Sequence, residues 1–227
     1  MKNYGMDIDK ISFLATDVMY QDMPWFLLEE PKRSVARLIS SLKQLEPYES
    51  LAEFDFIEES KPLVNKFVYE SDYVKLFNMI DRETLREKSL GFYTPIMGVV
   101  CNKFLSKEQK EILIDKLIQN GEYINDRNEK GETALLMAIK RNNREMIELL
   151  LRRFNADPNI GDEIGITPLM VSVYNNNLYN VSLLYHYGAD LWRQCCIYDL
   201  TAFDIADIEK CLETQALLKE LEKFEYI

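Results

Sequence analysis

The chain has 227 residues, with 27 Lys and Arg against 38 Asp and Glu, one histidine, four cysteines and 47% hydrophobic residues. That length and apolar fraction suffice for a buried core and exclude wholesale disorder. A formal net charge of −11 excludes a nucleic-acid backbone as partner, because phosphate binding needs clustered Lys and Arg; a basic protein partner, or solubility alone, is what the acidity leaves.

At the start, acids interrupt the stretch where a secretory signal would be continuously apolar, and no run reaches the ~18 apolar residues of a membrane span. A cytoplasmic protein is expected. Met19, Met23, Trp25, Phe26, Leu27 and Leu28 read as core or docking residues. Ser34 then caps an amphipathic helix carrying Val35, Leu38, Ile39, Leu42 and Leu45, which Pro47 closes, and a second short helix follows over 48–57. Residues 46–59 hold Glu46, Glu49, Glu53, Asp55, Glu58 and Glu59 without a base, a solvated face or an anionic patch. Residues 1–60 thus form an expected helical N-terminal cap.

From Lys61-Pro62-Leu63 a helical pattern runs through Val64, Phe67 and Val68, and a second through Tyr73, Val74, Phe77 and Ile80. Residues 61–89 read as a degenerate repeat, with Lys66 where later units have a small residue. The later units align on a threonine: Thr94-Pro95-Ile96-Met97, Thr133-Ala134-Leu135-Leu136, Thr167-Pro168-Leu169-Met170 and Thr201-Ala202-Phe203-Asp204. Five residues after each threonine stands Val99, Ala138, Ser172 or Ala206. Paired helical patterns follow, over 134–141 and 144–152, then over 168–175 and 179–187. Gly131 and Gly165 sit two residues before their threonines, where a tight turn needs positive φ. Thr167 is a plausible N-cap, and Pro168 fits a first helical turn, which needs no amide donor. Leu149, Leu150, Leu183 and Leu184 form the apolar stripes of the second helices.

This pattern resembles the ankyrin repeat, a unit of ~33 residues built as a turn and two helices with a Thr-Pro-Leu-His signature. The resemblance is clear over ~129–190 and degenerate over ~61–128 and ~197–227. It implies an all-α fold, an ankyrin-repeat α-solenoid over 61–227 with units starting near 61, 94, 133, 167 and 201. The signature histidine is replaced by Met97, Leu136, Met170 and Asp204, so the side-chain tie it provides is expected to be missing. The first full unit is about six residues too long, a surplus assigned to a link over 102–109. The last unit has Asp199 in place of the turn glycine and ends in a charged segment, as a terminal cap does.

Catalytic machinery is absent from the pattern. The eight glycines form no phosphate loop, and there is no G-x-S-x-G elbow. One histidine, His186, cannot build a multi-histidine metal site and reads as structural or superficial. Cys101, Cys195, Cys196 and Cys211 lack zinc or disulfide spacing and are expected to be buried, reduced thiols. Asn180-Val181-Ser182 matches a glycosylation sequon by chance. No enzyme, cofactor or metal is expected.

Stacked repeats bind partners across a concave surface of turns and first helices. The resemblance carries contact positions to Glu129, Lys130 and Glu132 at one tip, with Lys140 and Arg141 ending the following helix. The next unit supplies Glu163, Ile164, Ile166, Tyr174, Asn175 and Tyr187, and the last Ile197, Tyr198, Leu200 and Glu209. Tyrosines dominate binding energy in many interfaces, which singles out Tyr174, Tyr187 and Tyr198. Ile164 and Ile166 read either as exposed contacts or as residues packed against an adjacent turn. The expectation is a non-enzymatic module, monomeric alone, that binds another protein. An inhibitor such as an immunity protein against a bacterial toxin is one reading, and a secreted effector or adaptor engaging host proteins is the other.

Overall fold

A computed structural model describes residues 67–81, 93–196 and 199–224. The expected cap over 1–60, with its acidic run, lies outside the described residues. Those residues are helical, without strands, and fall into two compact units, one within Pro47–Glu163 and the other within Ile164–Ile227.

In the first unit, residues 67–69 are helical and are followed by α1 (Tyr73–Met79), α2 (Pro95–Cys101), α3 (Lys107–Gln119), α4 (Ala134–Lys140) and α5 (Arg144–Phe154). Helices α2 and α3 form one hairpin and α4 and α5 the next. First helices pack on each other (α2 on α4), and so do second helices (α1 on α3, α3 on α5). The second unit repeats the plan with α6 (Pro168–Tyr174), α7 (Leu178–His186), α8 (Ala202–Ile208) and α9 (Leu212–Glu222), where α6 packs on α8 and α7 on α9.

Each first helix from α2 onward has seven residues, and the cause is local. Thr94, Thr133, Thr167 and Thr201 each accept a hydrogen bond at Oγ1 from the amide three residues on, at 3.2–3.3 Å, which starts the helix. In the second and third full units a left-handed asparagine, Asn142 or Asn176, ends it nine residues after the threonine, and Lys210 takes that conformation in the last. Asn143 and Asn177 then cap the second helices. The small residues expected between helices, Ala138, Ser172 and Ala206, are fully buried together with Val99. Leu150 and Leu184 are likewise fully buried.

Where the signature histidine is replaced, the tie survives in another form. The sulfur of Met97 accepts from the Thr94 amide at 3.4 Å, and that of Met170 from the Thr167 amide at 3.5 Å. Asp204 does so more strongly, accepting at one oxygen from both the amide (2.8 Å) and the hydroxyl (2.6 Å) of Thr201. The expectation of a lost tie is therefore corrected at these three positions. A thioether is a weak acceptor, yet it occupies the site a capping carboxylate would use.

The surplus in the first full unit is spread rather than confined to one link. The link over 102–106 has five residues against three over 141–143 and 175–177, and α3 has thirteen residues against eleven in α5. In the degenerate repeat, Phe67, Val68 and Ile80 are buried as the spacing predicts. Val74 is a correction: it is 62% exposed, and Leu76 is buried instead. Positions 73, 76, 77 and 80 share one helical face, and 74 lies off it.

Candidate protein-binding surfaces

Within the first unit, the turn before Thr133 is closed by Asn128. Its side-chain oxygen accepts from the amides of Lys130 (3.0 Å) and Glu132 (2.8 Å), and its backbone amide donates to the Glu132 carbonyl at 3.0 Å. Gly131 holds φ +73°, and a Cβ there would stand 2.6 Å from the Glu163 amide nitrogen. That closeness belongs to a backbone bond between successive turns, the Glu163 amide donating to the Lys130 carbonyl at 3.0 Å. In the second unit the Cys196 amide donates to Ile164 in the same way at 2.9 Å, beside Gly165.

Glu129, Lys130 and Glu163 are exposed at these tips. Glu132 is turned inward: its carboxylate meets the Lys140 ammonium at 2.7 Å and accepts from the Asn128 amide side chain at 2.9 Å. Asp162 stands 3.7 Å from the same ammonium. Glu132 and Lys140 thus tie a tip to the end of α4, and most of both side chains is withdrawn from solvent. Arg141, half-buried, donates to the Cys101 carbonyl at 3.3 Å and to the Tyr93 hydroxyl at 3.4 Å, while its buried Nε has no acceptor. Tyr93 was not among the expected contact residues.

In the second unit, Asn175 is exposed, and Ile164, Tyr174 and Tyr187 are half-buried, with the Tyr187 ring edge-on to His186 at 5.2 Å. Ile166 is only 2% exposed, which leaves it no surface to offer a partner. Leu200 and Glu209 are half-buried, and Tyr198 and Ile197 lie outside the described residues. Asp199, in the place of the turn glycine, takes φ +54° and so keeps the turn, since Asp tolerates this region better than most side chains.

Two side chains depart from their repeat neighbours. Lys110 stands where α5 and α7 have the buried Ile147 and Val181, yet it is 7% exposed, with its ammonium 3.4 Å from the Val100 carbonyl. Burial pulls its pKa below the ordinary lysine value. Trp192 is 45% exposed and stacks on Phe203 with ring centroids 4.6 Å apart. The thiols also divide: Cys101 and Cys195 are buried, Cys211 is half-buried, and Cys196 is exposed, contrary to expectation, because it sits on the turn beside Gly165. Among the described residues, no three His, Cys, Asp or Glu side chains gather as a metal site, and no helix is long and apolar enough to cross a membrane.

A turn, a threonine-capped helix of seven residues and a second helix recur along both units. A model of the ankyrin-repeat family, in three copies, matches residues 104–195. These residues are ankyrin repeats. Curated relatives agree: an ankyrin repeat protein of fowlpox virus (strain NVSL) is 35% identical over 112 residues, 48% of this chain and 30% of its own length. An ankyrin repeat protein of Acanthamoeba polyphaga mimivirus is 38% identical over 85 residues, 37% of this chain and 11% of its own length. Alpha-latrotoxin-Lg1a of Latrodectus geometricus is 34% identical over 107 residues, 46% of this chain and 8% of its own length. The chain spans less than a third of each of these relatives. The ankyrin match begins at Phe104, so it takes in α3 of the first full unit and leaves out α2, although α2 carries the same threonine cap as α4 and α6.

Proposed function

We propose that this chain is a non-enzymatic protein-binding module that masks or scaffolds a partner protein with its ankyrin turns and helix ends. The observation that carries the reading is the ankyrin match over 104–195, together with turns whose outer side chains, Glu129, Lys130 and Glu163, are exposed while their backbones are fixed by hydrogen bonds to the next turn. Fixed backbone with exposed side chains favours binding, since little backbone entropy is lost on association. The net charge of −11 favours a basic partner, reached in the cytoplasm by a monomer.

Affinity capture with the full chain tests this. A specific partner should be retained by the wild type and lost, or weakened at least tenfold, with Glu129→Lys combined with Glu163→Lys or with Tyr174→Ala and Tyr187→Ala. Glu220→Lys on α9 serves as a control and should leave retention unchanged. No retained protein, or equal retention by every variant, refutes the reading.

Inhibition of a toxin, as by a bacterial immunity protein, is one form this binding takes, supported by the acidity alone. Engagement of host proteins by an effector or adaptor is a second, favoured by the fowlpox virus and mimivirus relatives. Rescue of growth from a neighbouring toxin gene separates the first from the second, which predicts capture of a host-cell protein and no rescue.

A further inference from the structure

The turn at 190–192 is built like the one at 157–159. The Asn159 amide donates to Asp157 at 2.8 Å, and the Trp192 amide donates to Asp190 at 2.8 Å. The turn itself therefore works with asparagine and does not call for an indole. Part of the reason for Trp192 lies in Phe203. Its counterparts in the two preceding units, Leu135 and Leu169, are buried, whereas Phe203 is half-buried and takes Trp192 against one face at 4.6 Å and 19°. Covering Phe203 uses one side of the indole. Trp192 as a whole is still 45% exposed, so the stack does not use up its surface.

The charge around this stack is acidic. Residues 190–210 contain Asp190, Asp199, Asp204, Asp207 and Glu209 against Arg193 and Lys210. Asp190 holds the Trp192 turn, and Asp204 caps α8 by accepting from Thr201. Asp207 is exposed, and its carboxylate has no hydrogen bond or ion pair among the described residues; its carbonyl accepts from the Lys210 amide at 3.3 Å. It follows Phe203 by four positions on α8, and so shares its helical face.

We propose that the Trp192–Phe203 stack and Asp207 form a docking site for an arginine side chain of a basic partner. A guanidinium lies flat on an indole face, and its fork of donors suits a nearby carboxylate; a lysine ammonium supplies charge without the planar match. This deepens the protein-binding reading and rests on it for the partner's being a protein.

The test uses the full chain carrying Trp25→Phe, which leaves Trp192 as its only indole. An acetylated Gly-Arg-Gly-Arg-Gly amide is titrated against it, with lysine and glutamate versions alongside, reading Trp192 fluorescence and calorimetry. The arginine peptide should bind saturably, the lysine peptide about threefold more weakly, and the glutamate peptide not at all. Asp207→Asn should weaken arginine binding about threefold, and Trp192→Leu about fivefold or more by calorimetry. Should Trp192→Leu fail to fold, Trp192→Ser, which retains the turn, and Asp207→Asn decide the matter.

Unsaturable arginine binding, equal binding of the glutamate peptide, or affinities untouched by the Trp192 and Asp207 variants overturn the site. A captured partner that binds Trp192→Leu as well as the wild type also overturns it, while leaving the protein-binding reading in place. Peptide binding as described, with no protein ever captured, supports the aromatic site and removes the reading instead.

Discussion

The side-chain amide of Asn102 donates to the carbonyl of Phe67 at 2.9 Å, thirty-five residues earlier in the chain. It donates also to the Glu70 carbonyl at 2.9 Å, and its oxygen accepts from the amides of Phe104 and Leu105 at 2.8 and 3.1 Å. With 1% exposure, Asn102 fills its hydrogen-bonding capacity without water and fastens the long link after α2 to the degenerate repeat. Replacement by Leu leaves two carbonyls and two amides unsatisfied and should cost about 3 kcal/mol of unfolding free energy. Asn102→Asp keeps the acceptor and loses the donors, and should cost a comparable amount. Urea denaturation of both variants measures it; a loss under about 0.5 kcal/mol would show the latch to be ornamental.

Glu132 and Lys140 form an ion pair with little access to solvent. Removing one partner strands the other: Glu132→Ala should cost about 3 kcal/mol, because Asp162 at 3.7 Å is a poor substitute. Replacing both, as Glu132→Leu with Lys140→Met, should cost less than Glu132→Ala alone, since two apolar side chains leave no buried charge. A double-mutant cycle by chemical denaturation gives the coupling, and additive single losses would refute it.

The Thr167 cap, the positive-φ glycines Gly131 and Gly165 and the small interhelical residues Ala138, Ser172 and Ala206 were legible because each recurs at a fixed distance from an aligned threonine. What lay beyond reach needed three dimensions. Ile164 and Ile166 look alike on a turn tip, but only the second is buried, and no spacing rule separates them. Val74 and Leu76 differ by the phase of a seven-residue helix, too short for its apolar face to be unique. Met97 and Met170 stand in for a capping residue through a sulfur that propensity scales do not count. The Glu132–Lys140 pair spans eight positions over the whole of α4, beyond the three or four that helix-pair rules cover. Trp192 had one available clue, an aromatic at a position where the preceding unit has asparagine.

The thiols should separate by exposure and by acidity. Burial pushes Cys101 up to about 11, against its nearby cations Arg141 and Lys110, which act the other way. Iodoacetamide at pH 8 should therefore label Cys196 first and leave Cys101 untouched in the folded protein. Because the folded pKa is raised, the stability linked to Cys101 is fully present below the unfolded value near 9 and is lost as pH rises towards 11. Stability of Cys101→Val should fall less steeply between pH 9 and 11 than that of the wild type. Parallel alkaline curves, or early labelling of Cys101 seen by mass spectrometry, would contradict this.

The junction between α8 and α9 lacks the side-chain cap that its counterparts have. In the two preceding units an asparagine in the left-handed region is followed by a capping asparagine: Asn142 then Asn143, Asn176 then Asn177. The last unit has Lys210 at φ +56° and Cys211 at the cap, and no side chain of Cys211 bonds the first turn of α9. The backbone there nevertheless keeps the geometry of its counterparts, with Cys211 at φ −77°, ψ 77° against −86°, 85° at Asn143. A better side chain therefore meets a site already shaped for it. Lys210→Gly removes the penalty of a side chain at positive φ, partly offset by the entropy glycine adds to the unfolded chain, for a net gain of about 0.5 kcal/mol. Cys211→Asn supplies the missing acceptor and should add about 1 kcal/mol. The two are neighbours in sequence but act on different groups, so their effects should nearly add. Thermal unfolding should shift upward, and amide exchange over 212–222 should slow more than exchange in α4, which the substitutions do not touch. Slower exchange everywhere, or none in α9, would mean that the terminal helix is limited by packing on α7 rather than by its cap.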